Sequence, residues 1–238
     1  MTGYVTLELR RILRDPKFVV ITLGIPLLMF GVFSRVGQPT ADDIRYLAVN
    51  MAGYGAFFAA LAVNGGVATD RAIGWIRQLR ATPLPAGAVI GGKVVAGLAA
   101  SLPAIVVVGL AASVLDGVRF SAAEWAGMLV ALGLGSLPFG LLGLVIGYGA
   151  RPQSAQPLTM VTFVVLSLLG GMWVPVSLLP HVLQTVAHAV PTYRYTELGH
   201  ALAGGTTPAA ATVTALAAWT AGLGLLAALA YRRRGGER

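Results

Sequence analysis

Apolar residues run through this chain in long uninterrupted blocks. Six of these reach the roughly 17 to 25 residues that a helix needs to cross the hydrocarbon core of a bilayer. They extend from Phe18 to Ser34, Tyr46 to Ala68, Ala88 to Leu115, Trp125 to Ala150, Leu158 to Val174 and Ala209 to Tyr231. The pattern predicts an all-α membrane protein with six transmembrane helices. The third block is the longest and carries Lys93 near one end, where the side chain can snorkel to the headgroups. No period of about 20 to 50 residues recurs. No polar stretch is large enough for a soluble domain, so residues 18–231 read as one membrane domain.

Three segments depart from the simple spans. Residues 1–17 contain Val5, Leu9, Ile12 and Leu13 at helical spacing opposite Glu8, Arg11 and Arg14, until Asp15 and Pro16 break the pattern. They predict an amphipathic helix lying on the cytoplasmic leaflet; a basic anchor that only sets topology would look the same. Residues 69–85 predict a short helix opened by Asp70 and Arg71. Ile73, Ile76 and Leu79 lie on one face, Arg77 and Arg80 on another, and Pro83 and Pro85 stop it. Such a helix suits a partner's groove. A solvated basic loop is the plainer reading, but Trp75 and the compact apolar face exceed what orientation alone requires. After the fifth block, Gly170, Gly171, Pro175, Pro180 and Pro191 interrupt residues 170–206. They predict short helices dipping back from the outer face over 175–206; an outer loop with a local amphipathic helix is equally compatible.

Composition sharpens this picture. Among 238 residues, 56% are hydrophobic and 11% charged, against about a quarter charged in a typical soluble domain. The net charge of +8 points to nucleic acid only if the basic residues form a patch, and they flank the apolar blocks instead. With the N-terminus inside, thirteen lysines and arginines fall on the cytoplasmic side. Only Arg35, Arg45, Arg119 and Arg194 fall outside. The acidic residues divide four to five, so the asymmetry is basic, as topology requires. Both termini are therefore expected in the cytoplasm, with residues 232–238 a basic tail. The absence of cysteine rules out disulfides and thiolate metal sites. No small-residue cleavage site follows the first block, so the N-terminus is expected to be retained.

Candidate chemistry is sparse. Gly87, Gly92 and Lys93 match the spacing of a phosphate-binding loop, but Val94 stands where a magnesium-binding hydroxyl is needed, and the motif sits in an apolar helix. Glu197 and His200 share a helix face and, with His181 and His188, form a weak metal-ligand pattern. That keeps a membrane-embedded metal-dependent enzyme as an alternative, although no metal is expected. Tyr193, Arg194, Tyr195 and Glu197 otherwise read as outer-interface polar residues. Ionisable residues are nearly absent from the middle of the blocks, which argues against an ion-coupled transporter. Asn64, Ser101, Ser136, Thr159, Thr162 and Ser167 are candidates for lining a pathway, although most such hydroxyls bond their own helix.

Residues 7–30, with the break at Arg14, Asp15 and Pro16, resemble the entry to the first span of the ABC-2 type permease family, in its daunorubicin-resistance-like exporter group. Residues 70–94 are similar to that family's stretch after the second span, through Gly74, Leu79, Arg80, Thr82, Pro83, Leu84 and Lys93. Residues 168–202 resemble its signature before the last span, through Gly170, Gly171, Pro175, Leu179, Pro180, Leu183, Gln184 and Pro191. The resemblance implies a multi-pass permease of the bacterial inner membrane that pairs with a second copy and exports an antibiotic or another amphipathic compound. It further implies two copies of a separate ATPase carrying ATP and magnesium, with no cofactor in this chain. Residues 70–80 would be the coupling helix, and the broken segment would cap the outer exit. Asp70 and Arg71 depart from the Glu-containing pair common in relatives, so no salt-bridge network carries over. A membrane anchor or sensor that recruits an ATPase without transport is the remaining alternative.

Overall fold

The computed structural model describes residues 6, 10–11, 14–36, 39–74 and 86–235, with side chains omitted at 17, 86–89 and 234–235. Helix is the only regular structure among the described residues. Of the predicted N-terminal helix, residues 6, 10 and 11 are helical; Val5, Glu8, Leu9, Ile12 and Leu13 lie outside the described residues.

The first helical run, α1 (16–33), consists of Pro16–Val19, a π-helical turn Val20–Gly24 and Ile25–Phe33. Pro26 has no N–H for the Thr22 carbonyl, and its ring crowds that turn. The helix widens there, and the Ile25 N–H bonds the Val20 carbonyl five residues back. The Thr22 carbonyl then faces Gly55 of the next helix, where an added Cβ would lie 2.8 Å from it.

Helix α2 (Ala41–Gly65) begins five residues before the predicted span. Thr40 and Asp43 form a capping box, with the Asp43 N–H donating to Thr40 Oγ1 at 3.2 Å and the Thr40 N–H to Asp43 Oδ2 at 2.9 Å. A short α3 (Val67–Ala72) continues it past Gly66. Then come α4 (Ala86–Leu115), α5 (Ala122–Gly135), α6 (Leu137–Gly149) and α7 (Pro152–Leu169). The break at Ser136 is the work of Pro138, which cannot donate to the carbonyl four residues behind it. The predicted fifth span is shifted: its helix starts six residues early and stops at Leu169, because Gly171 turns the chain at φ +74°. Three short helices follow, Val176–Leu178, α8 (His181–Ala189) and α9 (Pro191–Ala203), before the last helix, α10 (Ala210–Gly235).

Four of these runs, 41–72, 90–115, 122–149 and 210–233, are long and apolar enough to cross a membrane; a shorter apolar run covers 20–33. The molecule is apolar on its outside as well as its inside, with Leu28 and Val114 more than two-thirds exposed, as lipid contact favours.

Helix α2 is the axis of the bundle, buried from Ala48 to Gly65 except at Ala62, and packed by α1, α4, α6, α7 and α9. Small residues permit the close approach, because no hydrophobic effect drives helices together in lipid. At Gly143 of α6, an added Cβ would meet the Leu61 carbonyl and lie 2.9 Å from Asn64 Cβ and 3.0 Å from the Gly65 nitrogen. Backbone cannot yield as a side chain does. Gly143→Val is therefore expected to lower stability by about 1–3 kcal/mol, measured as thermal unfolding in detergent.

Candidate functional site

Two polar centres sit at opposite ends of the bundle. The first is built on Asp70 and Arg71, consecutive residues of α3 that a helix turns about 100° apart. They serve different neighbours. Asp70, whose side chain is 3% exposed, accepts from Lys93 Nζ at 2.7 Å through Oδ2 and from Arg11 Nη1 at 2.7 Å through Oδ1. Arg71 donates from Nη1 to the carbonyls of Gly147 and Tyr148, each at 3.0 Å. Those carbonyls belong to the last turn of α6, whose partial negative charge favours a cation. The N-terminal segment, α3, α4 and α6 thus meet at one dipeptide.

This corrects the expectation for Lys93. Its side chain is 1% exposed and runs inward to Asp70 instead of snorkelling out. A buried ammonium must be paired, and the carboxylate 23 residues earlier supplies the counter-charge. Gly92 and Lys93 also lie within α4, so the phosphate-loop spacing is embedded in a helix. Asp70 does not open a new helix but lies near the end of one continuing α2, with its carboxylate turned inward. Ile73 is exposed, and Gly74 leaves the helix at φ +77°. Trp75, Ile76, Arg77, Leu79 and Arg80 lie outside the described residues.

Beside this centre are two adjoining cavities, of about 230 Å³ and about 270 Å³. Asp15, Phe18, Ala62, Gly66 and Thr69 line both. The first has Asp70 and Lys93 in its wall; the second reaches Phe58, Gln156 and Thr159. Both combine a carboxylate, Asp15, with an aromatic ring, Phe18; Asp70 and Lys93 add charge to the first and Phe58 adds a ring to the second. Thr159 is thereby at a cavity wall, while its hydroxyl donates to the Ala155 carbonyl at 2.7 Å. Ser101 and Ser167 likewise donate to carbonyls of their own helices, and Ser136, at the break, donates to the Gly133 carbonyl of α5; all three are buried, and Thr162 is half-buried. Asn64 is fully buried; its Nδ2 donates to the Ala60 carbonyl at 2.9 Å, while Oδ1 has no hydrogen-bond partner among the described residues.

The second centre joins the broken segment to the bundle. Pro175 and Pro180 precede their helices as caps and Pro191 starts α9, positions where a missing N–H costs nothing. Thr196 Oγ1 donates to the Gly170 carbonyl at 3.0 Å, and Asn50 Nδ2 to the Gly171 carbonyl at 3.4 Å. Asn50 Oδ1 lies 2.8 Å from His200 Nε2, so the tautomer protonated at Nε2 fits. The imidazole stacks on Tyr46 with centroids 4.0 Å apart. Burial holds the His200 pKa down, from an ordinary 6.5 to about 4, because the charged ring loses its hydration. α9 is too short to span, and this ring packs against α2 in neutral form.

A depressed histidine pKa means that the unfolded chain binds the proton more readily. Its contribution is complete above about pH 6.5 and is lost as pH falls toward about 4. Lowering pH from about 7 to about 5 is expected to reduce stability by on the order of 1–2 kcal/mol, and His200→Gln should flatten that slope in denaturation curves.

Tyr195 overturns another expectation. It is not an interface residue but is fully buried, with its hydroxyl donating to the Leu132 carbonyl at 3.0 Å. Glu197 accepts from Arg194 at 3.0 Å and from Thr212 at 2.5 Å, while His200 turns to Asn50 and His188 packs edge-on to Tyr193. Glu197, His188 and His200 are thus engaged separately, and no group of three His, Cys, Asp or Glu able to hold a metal occurs among the described residues. Arg45, Glu124 and the Ala203 carbonyl pin the end of α9 to α2 and α5. The distances behind these centres exceed any local sequence pattern; the signals in the sequence are a polar Asn50 near the start of the second apolar block and the paired charges at 70 and 71.

Long apolar helices, with charge gathered at their ends and paired where buried, define a multi-pass membrane protein. The family model for the ABC-2 type transporter matches residues 4–200, and the chain belongs to that family, as a transport permease. It is 25% identical over 193 residues to a Bacillus subtilis (strain 168) protein named "Putative transport permease YvfS", covering 79% of each chain.

Proposed function

We propose that this chain is the permease subunit of an ATP-driven exporter in the bacterial inner membrane. It crosses the bilayer six times with both termini in the cytoplasm, pairs with a second copy and binds two copies of a separate ATPase. The cargo is a hydrophobic or amphipathic compound of the antibiotic or drug class. One observation carries the coupling part of this reading. The charged centre at Asp70 and Arg71 fastens the base of residues 75–85 to three other elements, so a push on that segment reaches the bundle directly. The two adjoining cavities, lined by charged and aromatic side chains together, suit an amphipathic cargo entering from the inner leaflet. Gly170, Gly171, Pro175, Pro180 and Pro191 shape the outer gate, and Ile73 to Arg80 the ATPase seat.

Co-expression with the ATPase encoded beside this gene tests the reading. The expected result is a stable complex whose ATP turnover drives an amphipathic dye out of the cytoplasmic side of vesicles. Ile73→Asp, which places a charge on an exposed apolar position, should weaken the complex about tenfold or more. A wild-type chain that retains no ATPase overturns the proposal.

A further inference from the structure

We infer that Asn50 and His200 are positioning residues for the outer gate: acting as a pair, they hold the turn at Gly170 and Gly171 from which residues 172–189 leave the bundle. Helix α7 ends at this turn, so the carbonyls of Gly170 and Gly171 lie past the helix's own donors and need others. Each is met from a different element, Gly170 by Thr196 Oγ1 of α9 at 3.0 Å and Gly171 by Asn50 Nδ2 of α2 at 3.4 Å. The Asn50 contact is the longer, and it is aimed from the other end of the same amide. A carbonyl only accepts, so Asn50 must present Nδ2 to Gly171 and Oδ1 to His200, whose Nε2–H donates at 2.8 Å. A reversed amide would set two carbonyl oxygens against each other at Gly171. The His200 ring is held flat against Tyr46, with the two planes 2° apart. A histidine 150 residues later in the chain thus chooses the direction of the buried Asn50 amide. The turn itself accepts only glycine: Gly171 stands at φ +74°, and an added Cβ at Gly170 would lie 2.5 Å from Thr192 Cβ. The far end of the segment is held separately, by Trp219 Nε1 of α10 donating to the Ala189 carbonyl at 3.2 Å. Loss of the first hold therefore frees the 172–180 end. The inference rests on the proposed reading of this broken segment as the outer gate, and it adds the two side chains, neither of them in 170–191, that set its closed position.

The chain contains no cysteine, so labels can be introduced without removing native thiols. Spin labels at Ser177→Cys in the segment and Ala123→Cys on the first turn of α5, both exposed, report the distance of the gate from the bundle in the full chain in lipid nanodiscs. The labelled parent is compared with three variants. Asn50→Leu removes both bonds, His200→Phe keeps a ring against Tyr46 but has no donor, and His200→Gln restores a donor. His200 is half-buried, so its two variants carry the comparison if Asn50→Leu does not fold. The expected result is one narrow distance distribution shared by the parent and His200→Gln. In His200→Phe and Asn50→Leu the distribution is about twofold broader or displaced, as for a segment that opens locally. Identical distributions in all four proteins overturn the inference. So does a His200→Gln protein displaced as far as His200→Phe, which assigns the effect to the shape of the site and not to the donor. The distances are read without ATPase or cargo, which separates this from the wider reading: a parent that exports nothing with the ATPase present sinks the exporter proposal, while the distance comparison still decides the positioning pair.

Discussion

Asp70→Ala is expected to destabilise the protein by about 3–5 kcal/mol, because it removes the carboxylate that pairs with the buried Lys93 ammonium. The magnitude follows from which partner can escape. Arg11, about half exposed, can turn its guanidinium to water and recover its hydration, so losing that arm alone costs about 1 kcal/mol or less. Lys93, at 1% exposure, has no such route. The paired change Asp70→Leu with Lys93→Met should recover most of the loss, since an apolar pair of similar volume avoids desolvating two charges. Denaturation in detergent of the two single variants and the pair gives the coupling energy. Equal stability of Asp70→Ala and the parent would show that the carboxylate is not needed to hold Lys93 inside.

The second large effect is expected at Tyr195. This side chain fills a slot shaped by glycines: a Cβ at Gly135 would lie 2.9 Å from its ring, and one at Gly53 would lie 3.3 Å away. Its ring meets Phe139 edge-on at 5.1 Å, and its hydroxyl finds the Leu132 carbonyl. Tyr195→Ala should cost about 3–5 kcal/mol, the range for emptying a buried aromatic site. Tyr195→Phe should cost only about 1 kcal/mol, the value of the hydrogen bond. Because the ring joins α9 to α2 and α5, proteolysis of the 175–206 segment should accelerate in the alanine variant and not in the phenylalanine one. Equal proteolysis in both would assign the anchoring to the backbone of α9 alone.

How far these features are legible in the sequence depends on their range. Helix positions follow from block length and from local breakers, which is why the Gly171 turn and the prolines at 175, 180 and 191 are readable directly. Helix starts lie ahead of the apolar run where polar caps extend it, as Thr40 and Asp43 do for α2. Lys93 departs from its local pattern for a different reason. A lysine near a helix end normally sends its charge to the headgroups, and nothing local announces a carboxylate 23 residues away on another helix. The polar neighbours Arg194 and Glu197 point to an interface position for Tyr195, yet its own direction is set by two glycines far away in the chain.

The last helix touches the bundle along one seam, with Thr212, Leu216, Leu223 and Ala227 buried and most of its remaining surface open. A surface that only has to dissolve in hydrocarbon accepts alanine, leucine or valine almost interchangeably, so selection there acts on solubility in lipid and not on identity. Variation should accumulate on that face while the four seam positions stay small or apolar.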